Sequence, residues 1–380
     1  MSSTPRRRWF ARVLAVYAAA GAGFAAFAVV RACRARAERD TLIVSGTVPG
    51  DVLSPISPMY AVDARVGHRP RRDFEQMLRT RAVDDPEPVD AARGWTRRCN
   101  NLSLVRRADV TRLAEDGRVV LVGDSHMMGV VRNEDNCSDL LERRLRDALG
   151  ADVAVYNVAS GFYSLHQHLL RLRSVGESLR PTAFVVVVFC GNDLLDLEDV
   201  GRPHLDDALE EQPAHPAPPR ETTSARRTAL ALPSAAEELF WQGLNQAEYF
   251  RLRPERLSVV EAKARRCLES LRALARERGV PLILALLPGF DLAFPERVAQ
   301  LGPAARAAAE AGANLRLHEG LAADARELSI ELVDALPAFR SDGRPSLYAD
   351  DYHLFVDGHR LLADLLFEPL RAAMTASPGR

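Results

Sequence analysis

The sequence shows no excess of charge of either sign. Its 380 residues include 50 lysines and arginines and 51 aspartates and glutamates, which gives a formal net charge of −1. A nucleic-acid-binding protein needs a basic excess or a concentrated basic patch, so no nucleic-acid partner is expected. The sequence also has no GxGxxG motif opening a helix and no GxxxxGK phosphate-binding loop. We therefore predict no cofactor.

Cysteine is scarce as well. None of the cysteines has CxxC spacing and no HExxH motif is present, so no metal site is predicted. Cys99 and Cys137 lie in polar stretches and could form a disulfide if the protein is exported. Cys190 follows an apolar run and is expected to be a small buried residue. The five cysteines are Cys33, Cys99, Cys137, Cys190 and Cys267.

The sequence contains one long run of uncharged residues near its N-terminus. Residues 13–30 contain no charged side chain and follow a basic stub, residues 1–12. At a rise of ~1.5 Å per residue, such a helix spans about 27 Å, close to the ~30 Å hydrocarbon core of a bilayer. We predict a transmembrane signal-anchor with the stub in the cytoplasm and the rest outside. The alternative is a cleaved signal peptide and a secreted protein.

The remainder divides into an extension and a main domain. Residues 31–117 contain several prolines, which break long elements, so an irregular juxtamembrane extension is predicted. It would pack against the main domain or bridge it to the membrane. In residues 118–373 apolar strands alternate with helices, which predicts an α/β fold: a three-layer α/β/α sandwich around a parallel sheet. A Pro- and charge-rich insertion is predicted at 201–233 and a tail at 374–380.

Chemically active residues follow the predicted strands. Ligands of an open parallel sheet bind outside the carboxyl ends of its strands, so these residues are expected to meet at one edge. The blocks are Gly123-Asp124-Ser125-His126, Asn157-Val158-Ala159-Ser160-Gly161, Gly191-Asn192-Asp193 and, before the last helix, Asp350-Asp351-Tyr352-His353.

These blocks supply the groups that acyl transfer requires. The Ser125 hydroxyl needs a base to become a nucleophile, and His353 is the candidate. A carboxylate, from Asp350 or Asp351, would hold the imidazole in the correct tautomer. The negative oxygen of a tetrahedral intermediate needs positioned N–H donors. Candidates are the backbone N–H of Ser125, a backbone N–H near Gly161 and the Asn192 side-chain amide.

In order along the chain, GDSH, NVASGF, GND and DDYH resemble the four signature blocks of the SGNH/GDSL hydrolase superfamily. The resemblance is to membrane-tethered, bacterial-type members and covers roughly residues 118–370. It implies a flavodoxin-like fold in which Ser125, Gly161, Asn192 and His353 take the family's four functional positions.

Two features depart from the family pattern. The family glycine of the second block usually lies five residues after the asparagine, where this chain has Phe162. The donor is therefore either the Gly161 N–H in a shorter turn or the Phe162 N–H. In the last block the DxxH spacing favours Asp350 over Asp351.

Other polar residues near the blocks have structural interpretations. Asp124 is expected to cap the helix that follows it. His126 is adjacent in sequence to Ser125 and so is expected to point elsewhere. His166 and His168 lie on a predicted helix as packing or surface residues, and His359 is expected to pack the closing helix.

Three functions follow from these residues. The first is a serine esterase acting on an acyl or acetyl ester, of an envelope glycan or a lipid for example. The second is an O-acyltransferase with the same serine, histidine and aspartate. The third is a catalytically inactive, membrane-anchored binding or scaffold protein.

Overall fold

The computed structural model describes residues 40–43, 57, 59–85, 94–214, 243–350 and 352–376. The strands are β1 (Asp40–Ile43), β2 (Tyr60–Asp63), β3 (Gly67–Pro70), β4 (Phe74–Leu78), β5 (Trp95–Cys99), β6 (Gly117–Val122), β7 (Val153–Asn157), β8 (Ala183–Phe189), β9 (His204–Leu205), β10 (Glu211–Gln212), β11 (Leu282–Leu287) and β12 (Glu331–Asp334). The α-helices are α1 (Ser125–Met128), α2 (Cys137–Leu149), α3 (Leu165–Leu179), α4 (Asn245–Leu252), α5 (Glu255–Arg278), α6 (Phe290–Ala293), α7 (Pro295–Ala299), α8 (Pro303–Glu310), α9 (Ala313–Glu327), α10 (Leu336–Asp342) and α11 (Val356–Thr375).

A five-stranded sheet forms the centre of the fold. Its strand order is β7-β6-β8-β11-β12, and every neighbouring pair is parallel. The chain passes from β6 to β7 in one direction and then returns to β8 on the other side of β6. Sheets wound in this way bind ligands where the order reverses, here between the carboxyl ends of β6 and β8. The predicted α/β fold with a parallel sheet is confirmed.

Helices cover both faces of this sheet. Helices α3, α5 and α9 pack on one face, and α2 and α11 pack on the other. In β8 all seven residues are buried. Phe184 and Val186 contribute to the first core, and Val185 and Val187 contribute to the second. A strand buried on both faces reads as a continuous apolar run, which is why it could be recognised in the sequence.

The N-terminal extension differs from the irregular segment that was predicted. Strand β4 pairs antiparallel with β1 and β5, and β2 and β3 form an antiparallel hairpin. These strands have only four or five residues, and Pro70 is the last residue of β3, so it does not prevent the pairing. The extension packs on the main domain: the side chains of Thr80 and Trp95 both donate hydrogen bonds to the carbonyl of Val130, at 2.8 and 2.9 Å.

The disulfide that was considered possible between Cys99 and Cys137 is absent. Both residues are free thiols, and both are buried. Cys99 lies at the end of β5 among apolar side chains of the extension, whereas Cys137 begins α2 in the main core. Burial raises the pKa of the Cys99 thiol to about 11. Cys190 is buried, as predicted, and Cys33 lies outside the described residues.

Several other predictions concern residues that lie near or beyond the limits of the described ranges. The anchor at residues 13–30 lies outside it, and among the residues that are described, no helix has the length and apolar character needed to cross a bilayer. Residues 201–214 of the predicted insertion include the β9–β10 hairpin, and its remainder lies outside the described residues. Helix α11 continues to Thr375, so the boundary placed at residue 373 falls inside that helix.

Candidate active site

Ser125 lies where β6 turns into α1. The preceding Asp124 is buried and caps this short helix: its Oδ1 accepts a hydrogen bond from the backbone N–H of His126 at 2.9 Å, as predicted. Gly123 permits the tight turn, because a Cβ there would lie 2.5 Å from the Cγ of Met127. The turn therefore places Ser125 at the carboxyl edge of the sheet, where ligands bind.

His353 meets Ser125 although 228 residues separate them in the sequence. Its Nε2 lies 3.0 Å from the Ser125 Oγ, and both side chains are partly buried. The same Oγ lies 3.3 Å from the Oδ2 of Asp124. A neutral imidazole that accepts a proton at Nε2 must carry its own proton at Nδ1. The pair thus has the geometry of an alcohol and its general base.

Asp350 lies in the same loop as His353 and contacts the extension. Its backbone N–H donates to the carbonyl of Arg81 at 2.7 Å, and its Oδ2 forms an ion pair of 3.6 Å with the Arg81 Nε. The loop is closed by a 2.8 Å hydrogen bond from the Ala349 N–H to the His353 carbonyl. Asp351 lies outside the described residues. Which of the two carboxylates orients His353 remains a prediction.

Gly161 lies directly beside Ser125. A Cβ at this position would be 3.6 Å from the Ser125 Cβ and only 2.3 Å from the hydroxyl of Tyr60, so only glycine fits without a rearrangement. Phe162 has a φ of +65° and is 53% exposed. The structure therefore brings the second block next to Ser125 and turns the Phe162 side chain outwards.

Asn192 follows β8, the strand beside β6. Its side chain is partly exposed, and its Oδ1 is buried with no hydrogen-bond partner among the described residues. The next residue, Asp193, is fully buried and accepts a hydrogen bond from the Phe189 N–H at 2.9 Å. Burial raises the pKa of this carboxyl well above its ordinary value. Asp193 thus holds the turn that carries Asn192.

The other histidines considered in the sequence analysis have packing roles. His126 stacks on Phe189 with 3.6 Å between ring centroids, and its Nδ1 accepts a hydrogen bond from the Leu354 N–H. His359 is buried and accepts from the Cys137 N–H at 3.3 Å. His166 and His168 are buried on α3. Across the part of the chain that is described, no group of three or more acidic, histidine or cysteine side chains is arranged to hold a metal ion.

Sequence reasoning missed two residues at this site, Tyr60 and His68. Both are buried in the β2–β3 hairpin and contact Gly161. They lie about 100 residues before Gly161, in a segment that was interpreted as irregular. No motif or spacing in the sequence connects them to the second block, so only the tertiary structure could reveal them.

Asp124 gives the site a testable pH dependence of stability. Burial raises its pKa from 3.8 to about 6. The folded protein therefore holds this proton in a pH range where the unfolded chain has lost it, and the free energy of unfolding falls as the pH rises from about 4 to 6. Asp124→Asn keeps the cap acceptor without the buried charge. We expect it to raise the free energy of unfolding by about 1–3 kcal/mol at pH 8.

Chemical denaturation at pH 4 and pH 8 measures this effect. At pH 4 the gain from Asp124→Asn should largely disappear, because wild-type Asp124 is then protonated in the folded protein. The exposed Asp147→Asn is the matched control and should change stability little at either pH. An equal effect of Asp124→Asn at both pH values would contradict the assignment of a buried, proton-binding Asp124.

Comparison with known families and structures adds an independent finding. Residues 121–361 match the sequence profile of the GDSL-like Lipase/Acylhydrolase family. This segment contains Ser125, Gly161, Asn192 and His353. No curated protein matches the chain in sequence.

Solved structures similar to the chain are distant from it. An alpha/beta hydrolase enzyme from the metagenome of Lake Arreo is 16% identical, with 69% of this chain and 97% of that chain covered and a TM-score of 0.40. A lipase/acylhydrolase from Enterococcus faecalis is 16% identical, with 67% and 96% covered and a TM-score of 0.36. An acetyl xylan esterase, AlAXEase, is 16% identical, with 66% and 98% covered and a TM-score of 0.39. These values are too low to transfer a substrate or a residue role.

Proposed function

Because the chain belongs to the GDSL-like lipase/acylhydrolase family and is a hydrolase acting on ester bonds, we propose that Ser125 is its nucleophile and His353 its general base. The observation that carries this proposal is the 3.0 Å contact between Ser125 Oγ and His353 Nε2. It lies at the carboxyl edge of the sheet, beside the reversal between β6 and β8, where such folds bind their ligands.

The proposed reaction has two halves. Ser125 Oγ attacks the carbonyl carbon of the ester while its proton passes to His353 Nε2. The tetrahedral intermediate collapses, and the leaving alcohol takes that proton from His353. In the second half a water molecule gives a proton to His353 and attacks the acyl-enzyme. The acid product leaves and Ser125 recovers its proton.

Three donors are proposed for the negative oxygen of the intermediate. They are the backbone N–H of Ser125, a backbone N–H of the Gly161–Phe162 segment and the side-chain amide of Asn192. The proximity of Gly161 to Ser125 supports the second donor. The partly exposed Asn192 side chain, just after the strand beside β6, supports the third. Asp350, with Asp351 as the alternative, would fix the Nδ1–H tautomer of His353.

Substrate and location rest on the sequence alone. We propose an acyl or acetyl ester, of an envelope glycan or a lipid, as the substrate. The basic stub and the uncharged run at residues 13–30 favour a single-pass anchor with the catalytic domain outside the cytoplasm. Secretion after cleavage of the signal is the alternative. An O-acyltransferase would use the same acyl-enzyme and transfer the acyl group to a sugar hydroxyl.

Turnover of p-nitrophenyl acetate and butyrate by the purified protein tests the proposal. An esterase should release p-nitrophenolate and free acid in equal amounts, without any added acceptor. Release that depends on an added sugar, together with an acylated sugar product, would identify the transferase instead. A folded protein that releases neither product from these or longer-chain esters would contradict the esterase function.

A further inference from the structure

The β2–β3 hairpin of the N-terminal extension is tied to the loop beside Ser125. His68 is fully buried, and its Nε2 lies 2.8 Å from the carbonyl oxygen of Gly161. In return the Tyr163 hydroxyl donates a 2.6 Å hydrogen bond to the carbonyl of His68. The rings of Tyr60 and Phe162 meet edge to face at 6.2 Å. Contacts from both strands therefore hold the segment 161–163.

The chemistry of the His68 contact fixes the tautomer of this imidazole. A carbonyl oxygen only accepts hydrogen bonds, so Nε2 must carry the proton. Burial lowers the pKa of His68 to about 4, so the ring is neutral at the pH values where esterases are assayed. Its Nδ1 is buried and has no partner among the described residues. The single N–H of the neutral ring is therefore directed at Gly161.

Holding the Gly161 carbonyl also sets the direction of the next N–H. In a trans peptide the carbonyl of residue 161 and the N–H of residue 162 point in opposite directions. The Phe162 N–H therefore points away from His68, and it has no hydrogen-bond partner among the described residues. The Tyr60 hydroxyl packs directly against Gly161, only 2.3 Å from where a Cβ of that residue would lie. Of the two backbone donors considered for this loop, the Phe162 N–H is therefore the one whose direction the His68 contact sets.

We infer that His68 is a positioning residue of the active site, holding the Gly161–Phe162 peptide so that the Phe162 N–H can donate to the oxyanion. The inference rests on the proposed esterase function and deepens it. The β2–β3 hairpin of the extension is then part of the catalytic machinery. Its loss would impair stabilisation of the transition state more than binding of the ester.

Three variants distinguish a positioning role of His68 from a role in packing alone. His68→Phe keeps a ring of similar size and removes the donor. His68→Gln keeps a donor, because the glutamine amide nitrogen can take the place of Nε2. His166→Phe is the matched control, since His166 is also buried and lies 3.2 Å from a backbone carbonyl, that of Pro203. Each variant is assayed as the full chain with p-nitrophenyl acetate, and folding is checked by thermal denaturation.

We expect His68→Phe to lower kcat about 10- to 100-fold, somewhat less than the loss of an oxyanion donor itself. KM should change less than about threefold, because the interaction forms only in the transition state. Phenylboronic acid forms a tetrahedral, anionic adduct with serine. Its inhibition constant should therefore rise by a similar factor in His68→Phe. His68→Gln should recover most of the activity, and His166→Phe should behave like wild type.

Two results would overturn the inference: wild-type kcat in His68→Phe, or equal losses in His68→Phe and His68→Gln. If His68→Phe does not fold, His68→Asn is used in its place. The asparagine side chain is too short to place an amide nitrogen at the position of Nε2, so it cannot donate to the Gly161 carbonyl. Equal kcat in the Asn and Gln variants would then exclude positioning. A wild-type protein without esterase activity would instead contradict the proposed function, so the two failures are distinguishable.

Discussion

Ser125→Ala is expected to lower kcat for p-nitrophenyl acetate by about 10⁴- to 10⁶-fold, the range found when a catalytic serine is removed. The covalent step cannot occur without the Oγ, and the donors around the site can then only assist direct attack by water. Folding should be preserved, because the side chain is partly exposed and the cap of α1 belongs to Asp124. Steady-state kinetics with excess ester measures the effect.

Ser258→Ala provides the control for this experiment. Ser258 is exposed on α5, and its hydroxyl donates a 3.4 Å hydrogen bond to the carbonyl of Glu255 in its own helix. This variant should retain wild-type kcat and KM. A Ser125→Ala protein with more than about a tenth of the wild-type kcat would remove Ser125 from the mechanism, because removing a catalytic serine lowers kcat by several orders of magnitude.

His353→Ala is expected to lower kcat by a similar factor. The kcat of the double variant should lie within about tenfold of that of either single variant. In the proposed mechanism Ser125 and His353 act as one unit across the 3.0 Å contact, so once one of them is removed, removing the other should cause little further loss. The rates of the two single variants and of Ser125→Ala/His353→Ala with the same ester test this expectation.

His166→Ala is the matched control for His353→Ala, since it removes an imidazole elsewhere in the fold and should retain wild-type kcat. Losses in Ser125→Ala and His353→Ala that multiply in the double variant would show two independent roles. That outcome would contradict a nucleophile activated by His353.

The sequence allowed the main domain to be predicted because its signals are local. The apolar run of β8 is buried on both faces, and the alternation of strands and helices leads to a parallel sheet. The carboxyl ends of parallel strands lie at one edge, so the blocks that follow β6, β7 and β8 were expected to meet there. For this reason the sequence alone predicted that Ser125 lies close to the second block and to His353.

The extension could not be predicted, because its structure depends on contacts between distant residues. Its strands have only four or five residues, and burial alternates along β3 and β4 but not along β2. The disulfide prediction failed for a related reason. Cys99 has polar neighbours in the sequence, but it is buried in the apolar cluster of the extension. Local polarity therefore gave no information about which side chains face the core.

The residues of the site likewise divide into those with a local sequence signal and those that depend on contacts between distant segments. Ser125 and His353 were found because each belongs to a short motif at the end of a strand or before a helix. His68 and Tyr60 belong to no motif, and their contacts with Gly161 appear only when the hairpin is folded onto the main domain. The order of the four blocks indicates the chemistry, while the geometry of the extension indicates how the segment 161–163 is held.

The most direct test of the central claim is to identify the residue modified by a p-nitrophenyl phosphonate ester, which phosphonylates activated serines. Peptide mass spectrometry of the wild-type protein should find one adduct, on Ser125. Labelling should be much slower in His353→Ala and absent in Ser125→Ala. An adduct on another residue, or full esterase activity remaining after Ser125 is modified, would contradict the account.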